Sequence, residues 1–117
     1  MKAENPLREK SKQFAIRCVR LYKFLCDEKR EFVLSKQLLR SGTSIGANVA
    51  EGIFAQSRLD FAAKLSIAQK EAAETEYWIE LLAATDYLNE VEAQSMLSDC
   101  RELLKMLQSI TKTLYNK

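Results

Sequence analysis

Residues 40 to 52 read RSGTSIGANVAEG, from Arg40 to Gly52, and hold all three glycines of the chain, Gly42, Gly46 and Gly52. No charge lies between Arg40 and Glu51. A glycine-rich run can be a loop that cradles phosphate. That reading needs a strand before it and, in a P-loop, Lys followed by Ser or Thr after the last glycine. Here Ile53 and Phe54 follow Gly52, and helical periodicity precedes Arg40. Placed on a helix, Leu34, Leu38, Ser41, Ile45, Asn48, Gly52 and Ala55 form one stripe. Leu39, Gly42, Gly46, Val49 and Ile53 form a second beside it. Gly42 and Gly46 then stack one turn apart as a shallow notch into which a neighbouring backbone can approach. Each glycine costs about 1 kcal/mol relative to alanine in a helix, so close packing must offset it.

The rest of the chain is built to match. It has 117 residues, 47% hydrophobic and 29% charged, with one proline. That suits a single helical domain over residues 1–117. No apolar run reaches the roughly 18 residues needed to span a bilayer. The start, MKAENPLREKSK, lacks the apolar core of a signal peptide, so the expected location is cytoplasmic. Cys18, Cys26 and Cys100 are an odd number. Cys18 and Cys26 would sit about 12 Å apart on one helix, too far to bridge, so all three read as small buried apolar residues.

Four helices are expected, at about 6–29, 33–56, 58–86 and 90–115. Asn5-Pro6 is an N-cap followed by proline at the first helical position. Leu7, Phe14, Cys18, Leu21 and Leu25 share a stripe that leaves Lys10, Arg17, Arg20 and Lys23 largely elsewhere. Ser57 with Asp60, and Asn89 with Glu92, resemble capping boxes. Phe61, Leu65, Ala68, Ala72, Thr75, Ile79 and Leu82 make the stripe of the third helix. Ala93, Met96, Cys100, Leu103, Leu107, Ile110 and Leu114 make a heptad seam on the fourth. No β pattern appears. Short links between long helices favour an all-α, antiparallel up-and-down four-helix bundle.

The polar chemistry points away from catalysis. The chain has no histidine. Ser-His and Cys-His pairs are therefore excluded, as are the Glu-x-x-His ligands of di-iron bundles. Three scattered cysteines do not make a zinc site. Glu74 and Glu76, two apart on a helix, point in different directions. The expectation is a non-enzyme with no metal, no cofactor and no small-molecule substrate. Asn48 on the core stripe and Glu74 on a side stripe (Ile67, Glu71, Glu74, Trp78, Leu81) need partners if buried. A network of Asn48, Glu51, Glu74 and Arg40 would supply them and fix register. Alternatively, Glu74 leans to solvent and Asn48 is satisfied singly. Trp78 beside Tyr77 reads as core or interface.

The run Arg40 to Gly52, with Phe61, Leu65-Ser66-Ile67-Ala68 and Glu74-Thr75-Glu76 downstream, resembles the bacterial four-helix bundle proteins also called 23S rRNA-intervening-sequence proteins. The resemblance implies a closed up-and-down bundle that assembles into a ring, typically a pentamer. Those proteins are in turn distantly similar to the accessory proteins of diversity-generating retroelements, basic pentamers that bind nucleic acid and a reverse transcriptase. The motif residues carried over are Arg40, Ser44, Ile45, Asn48, Ala50, Glu51, Gly52 and Glu74, and they read as structural.

Two functions are therefore expected, and they are compatible, since a ring could display a basic face. The first is a homo-oligomeric scaffold or interaction module. An uncharged helix needs cover on both sides, its own bundle on one and another subunit on the other. Its structural or interface set is Arg40, Gly42, Ser44, Ile45, Gly46, Asn48, Glu51, Gly52, Glu74 and Trp78. The second is low-specificity RNA or DNA binding through Lys10, Arg17, Arg20, Lys23 and Arg40, with Lys105 and Lys112 as further candidates. It draws on the charge asymmetry: residues 1–40 hold eleven Lys/Arg against five Asp/Glu, and residues 41–99 hold three against ten.

Overall fold

The computed structural model describes residues 5–116; residues 1–4 and 117, part of the expected domain, lie outside it. Four α-helices follow one another: α1 (Pro6–Asp27), α2 (Leu34–Gly52), α3 (Arg58–Ala84) and α4 (Glu90–Tyr115). Each packs on the next, and α4 returns to α1 along a thinner seam. The result is an up-and-down four-helix bundle about 46 Å long and 23 by 21 Å across. Among the described residues there is no strand, and no helix is long and apolar enough to cross a membrane.

The helix starts follow local chemistry. The Asn5 side chain accepts from Arg8 N, and Pro6 occupies the first turn, where its missing N–H costs nothing. Asn89 and Glu92 form a full capping box. Ser57 accepts from Asp60 N, but the Asp60 carboxylate turns back to Gln56 N, so that box is half made. α2 starts differently. Val33 offers no side-chain cap, and the carboxylate of Glu31 accepts from the backbone N–H of Val33, Leu34 and Ser35 at 3.1, 2.8 and 2.7 Å.

The helix ends are where expectation and structure part. α1 stops at Asp27 and α3 at Ala84, each two residues short of the expected boundary. Arg30 and Asp86 take up left-handed backbone, with φ of 54° and 71°, and the next amides close on Leu25 O and Leu82 O. α2 stops at Gly52 instead of Gln56. Phe54 N bonds Glu51 O and Ala55 N bonds Gly52 O, so the helix tightens into a turn and releases the chain towards Ser57. Periodicity alone carries no stop signal there, because Ala55 continues the stripe.

The core runs the length of the bundle. Phe14, Cys18 and Leu25 of α1 meet Leu38, Ile45 and Val49 of α2. Leu65, Ala72, Ile79 and Leu82 of α3 and Cys100, Leu103 and Leu107 of α4 close it. Small polar side chains lie buried beside them: Ser11, Ser35, Ser41, Thr75 and Thr111. The Thr75 hydroxyl has the Glu71 carbonyl at 2.7 Å and Ser41 Oγ at 2.9 Å. Thr111 Oγ1 reaches Gln69 Oε1 at 3.0 Å. No buried side-chain N or O among the described residues lacks a partner.

Candidate interaction surface

The glycines of α2 serve contacts within the chain. A Cβ on Gly42 would lie 2.3 Å from Cys18 Sγ of α1, closer than real atoms approach. One on Gly46 would lie 3.2 Å from the Ser11 carbonyl oxygen, so α1 and α2 meet backbone to backbone there. One on Gly52 would lie 3.1 Å from the Phe61 ring of α3. The notch on α2 is thus filled by α1. Ile45 is buried beside it.

The outer side of α2 is left uncharged over this span. Ala47 and Ala50 are exposed, and Thr43, Ser44 and Asn48 are half-buried. Thr43 and Ser44 turn their hydroxyls back to the carbonyls of Leu39 and Arg40, both at 2.7 Å. Asn48 Nδ2 likewise donates to Ser44 O at 2.8 Å. Hydroxyls and amides satisfied by their own helix offer water little, so this surface is less polar than its composition suggests. It runs on to Phe54, 85% exposed in the turn.

The expected four-residue network is corrected. Arg40 joins Glu71 at 3.3 Å and also Glu74, and Glu74 accepts from Trp78 Nε1 at 2.9 Å. Glu51 pairs instead with Lys64 at 3.1 Å, and Asn48 stays within α2. Asn48 is half-buried, not a core residue. The reason is reach: Arg40 and Glu51 lie three turns apart on α2, and each finds the α3 residue at its own height. Exposed pairs of this kind contribute about 0–1 kcal/mol each. They set which faces of α2 and α3 meet more than how tightly.

The candidate cations are divided in the same way. Lys10 pairs with Glu102 at 3.1 Å and Arg17 with Asp99 at 2.6 Å, both across the α1–α4 seam. Arg17 also donates to Ser95 Oγ at 2.9 Å. Arg40 is held by α3. Arg20 and Lys23 are exposed and have no ion-pair partner among the described residues. Lys105 and Lys112 are exposed on α4. Sequence reasoning missed the α4 carboxylates because i, i+3 and i, i+4 patterns report only partners on the same helix.

The buried thiols do not provide a nucleophile. Burial, helped by Cys100 beside Cys18 and by the Glu76 carboxylate beside Cys100, pushes both thiols up to about 12. A thiol held that high is protonated at neutral pH and inert. No group of three or more His, Cys, Asp or Glu among the described residues could hold a metal ion.

Together these features define a class: a small helical bundle whose most distinctive segment is a smooth, uncharged second helix, closely packed on the first. The chain belongs to the 23S rRNA-intervening sequence protein family, whose model it matches over residues 4–109. A crystal structure from Bacteroides thetaiotaomicron VPI-5482, of a protein with unknown function from the S23 ribosomal protein family at 1.70 Å resolution, is similar to it. The two share 57% identity, with 91% of this chain and 98% of that one covered and a TM-score of 0.90. Neither comparison indicates a catalytic family. No curated protein matches.

Proposed function

We propose that this chain is a non-catalytic cytoplasmic module that works by assembling with copies of itself, five in the ring that its family resemblance implies. The observation that carries the reading is the outer face of α2. Between Arg40 and Glu51 it presents Thr43, Ala47 and Ala50 and no charge, and it ends on the exposed ring of Phe54. A helix at a permanent water boundary is expected to show charge there. An uncharged, small-residue ridge lets a second bundle approach closely without burying an unpaired ion.

Ala47→Glu tests this directly. The side chain is exposed, so the bundle should keep its helical signal while the new carboxylate is forced into the contact between copies. Light scattering should find the variant's mass reduced to one chain where the unaltered protein has several. A variant that keeps the full assembly mass contradicts the reading.

Nucleic-acid binding has narrower support. Lys10, Arg17 and Arg40 are engaged by carboxylates of their own chain, which leaves Arg20 and Lys23 of the original set. A ring would multiply that small free charge by avidity, and such binding would weaken steeply with salt.

A further inference from the structure

The outer sides of the four helices differ. α1 exposes Arg8, Lys12, Arg20 and Lys23 to water, and α4 exposes Gln94, Ser98, Glu102 and Lys105. α3 has no such charged side. Its Leu59 is 70% exposed, Ile67 42% and Tyr77 55%, with the exposed Ala63 and Ala73 between them. The charges along this face are Lys70, Glu74 and Glu80. Glu74 is held by Arg40, and Glu80 by Arg101 at 3.3 Å. Lys70 has no ion-pair partner among the described residues. A helix that is apolar on its outer side as well as its inner side is expected to be covered on both.

The ion pairs between α2 and α3 fix their relative height. The two helices run in opposite directions, with Glu51 on Lys64 and Arg40 on Glu71. Ala47, Ala50 and Phe54 therefore stand at about the level of Ile67, Ala63 and Leu59, on the adjacent corner of the bundle.

We infer that this apolar face of α3 in one copy covers the uncharged face of α2 in the next. The inference rests on the self-assembly proposed above and names the surface that meets α2. Level and charge select the occupant. Copies standing side by side in a ring, all in the same direction, bring the two faces together at one height. Pairing α3 with α3 along its length, in either direction, would instead set Lys70 near the middle of the helix against a second Lys70. Like charges placed face to face oppose association. α2 presents no cation from Ser41 to Gly52. The contact joins unlike faces and is heterologous, the kind that generates rings.

Two exposed alanines separate the faces. Ala63→Glu puts a carboxylate on α3, and Ala50→Glu puts one on α2. Glutamate is a good helix former, so the circular dichroism should not change. Each variant alone should fall to the mass of one chain by light scattering, at a concentration where the unaltered protein is assembled. An equimolar mixture should then recover twice the mass of one chain and no more, because the intact α2 of one variant meets the intact α3 of the other. If Ala63→Glu keeps the native mass, or if the mixture stays at one chain, the α3 contact is wrong while self-assembly through α2 stands. If the unaltered protein is itself a monomer, both readings fall.

Discussion

Gly42→Ala should destabilise the bundle by about 1–2 kcal/mol. At most other helix positions the same change would help, by about 1 kcal/mol of propensity. The sign reverses because the new methyl would sit 2.3 Å from Cys18 Sγ and 3.1 Å from Cys18 Cβ, so the fully buried Cys18 side chain or the α1–α2 spacing must shift to admit it. Overpacking of this kind costs about 1–3 kcal/mol. For a domain of this size the melting temperature should fall by roughly 4 °C or more. The partner identifies itself in a double mutant. Cys18→Ala removes the sulfur, so Gly42→Ala should cost clearly less in that background, and thermal melts of the four proteins measure the coupling. Additive effects would mean that α1 and α2 do not meet at this point. Gly52→Ala is the internal comparison. Its neighbour is the half-buried ring of Phe61, which can move, so its effect should be smaller.

Replacing Glu31 by alanine should cost about 1–3 kcal/mol, a large effect for a loop residue. The residue is only 7% exposed and satisfies three amides at the start of α2 that have no other partner. Its titration should be visible in the stability curve. Burial alone would raise the carboxyl, but the Leu34, Ser35 and Val33 amides together outweigh it and hold it below its ordinary value of 4.5. A depressed carboxyl stabilises the fold above its unfolded value and loses that contribution as pH falls through the folded one. Urea unfolding should therefore show stability dropping below about pH 4.5, and Glu31→Gln should flatten that drop. An alanine variant as stable as the parent, or an unchanged acid limb in the glutamine variant, would contradict this role.

Much of the fold was legible because it depends on periodicity. The seam from Ala93 to Leu107 on α4 and the stripe from Leu65 to Leu82 on α3 are simple repeats of three and four, and Thr75 was placed in its stripe despite its hydroxyl. The notch at Gly42 and Gly46 was legible as a cost that close packing had to offset. Its occupant was not, since nothing local says that Ser11 and Cys18 of α1 fill it. The end of α2 was hidden because Ala55 continues the apolar stripe past Gly52. Glu31 was missed for a different reason: it caps α2 from outside the helix, where Ser, Thr, Asn or Asp at the N-cap would be the usual sign. The uncharged outer face of α2 was legible in the sequence as an absence of charge between Arg40 and Glu51. The pairing of Arg40 with Glu71 and Glu74, and of Glu51 with Lys64, depends on which α3 residue stands opposite, and that is tertiary information.

Multi-angle light scattering on the unaltered protein, across micromolar concentrations at physiological salt, bears most directly on the central claim that the smooth face of α2 is covered by another copy. The account predicts one species whose mass is a whole multiple of 13.4 kDa, five-fold for the proposed ring. A sharp peak at 13.4 kDa throughout that range would contradict it.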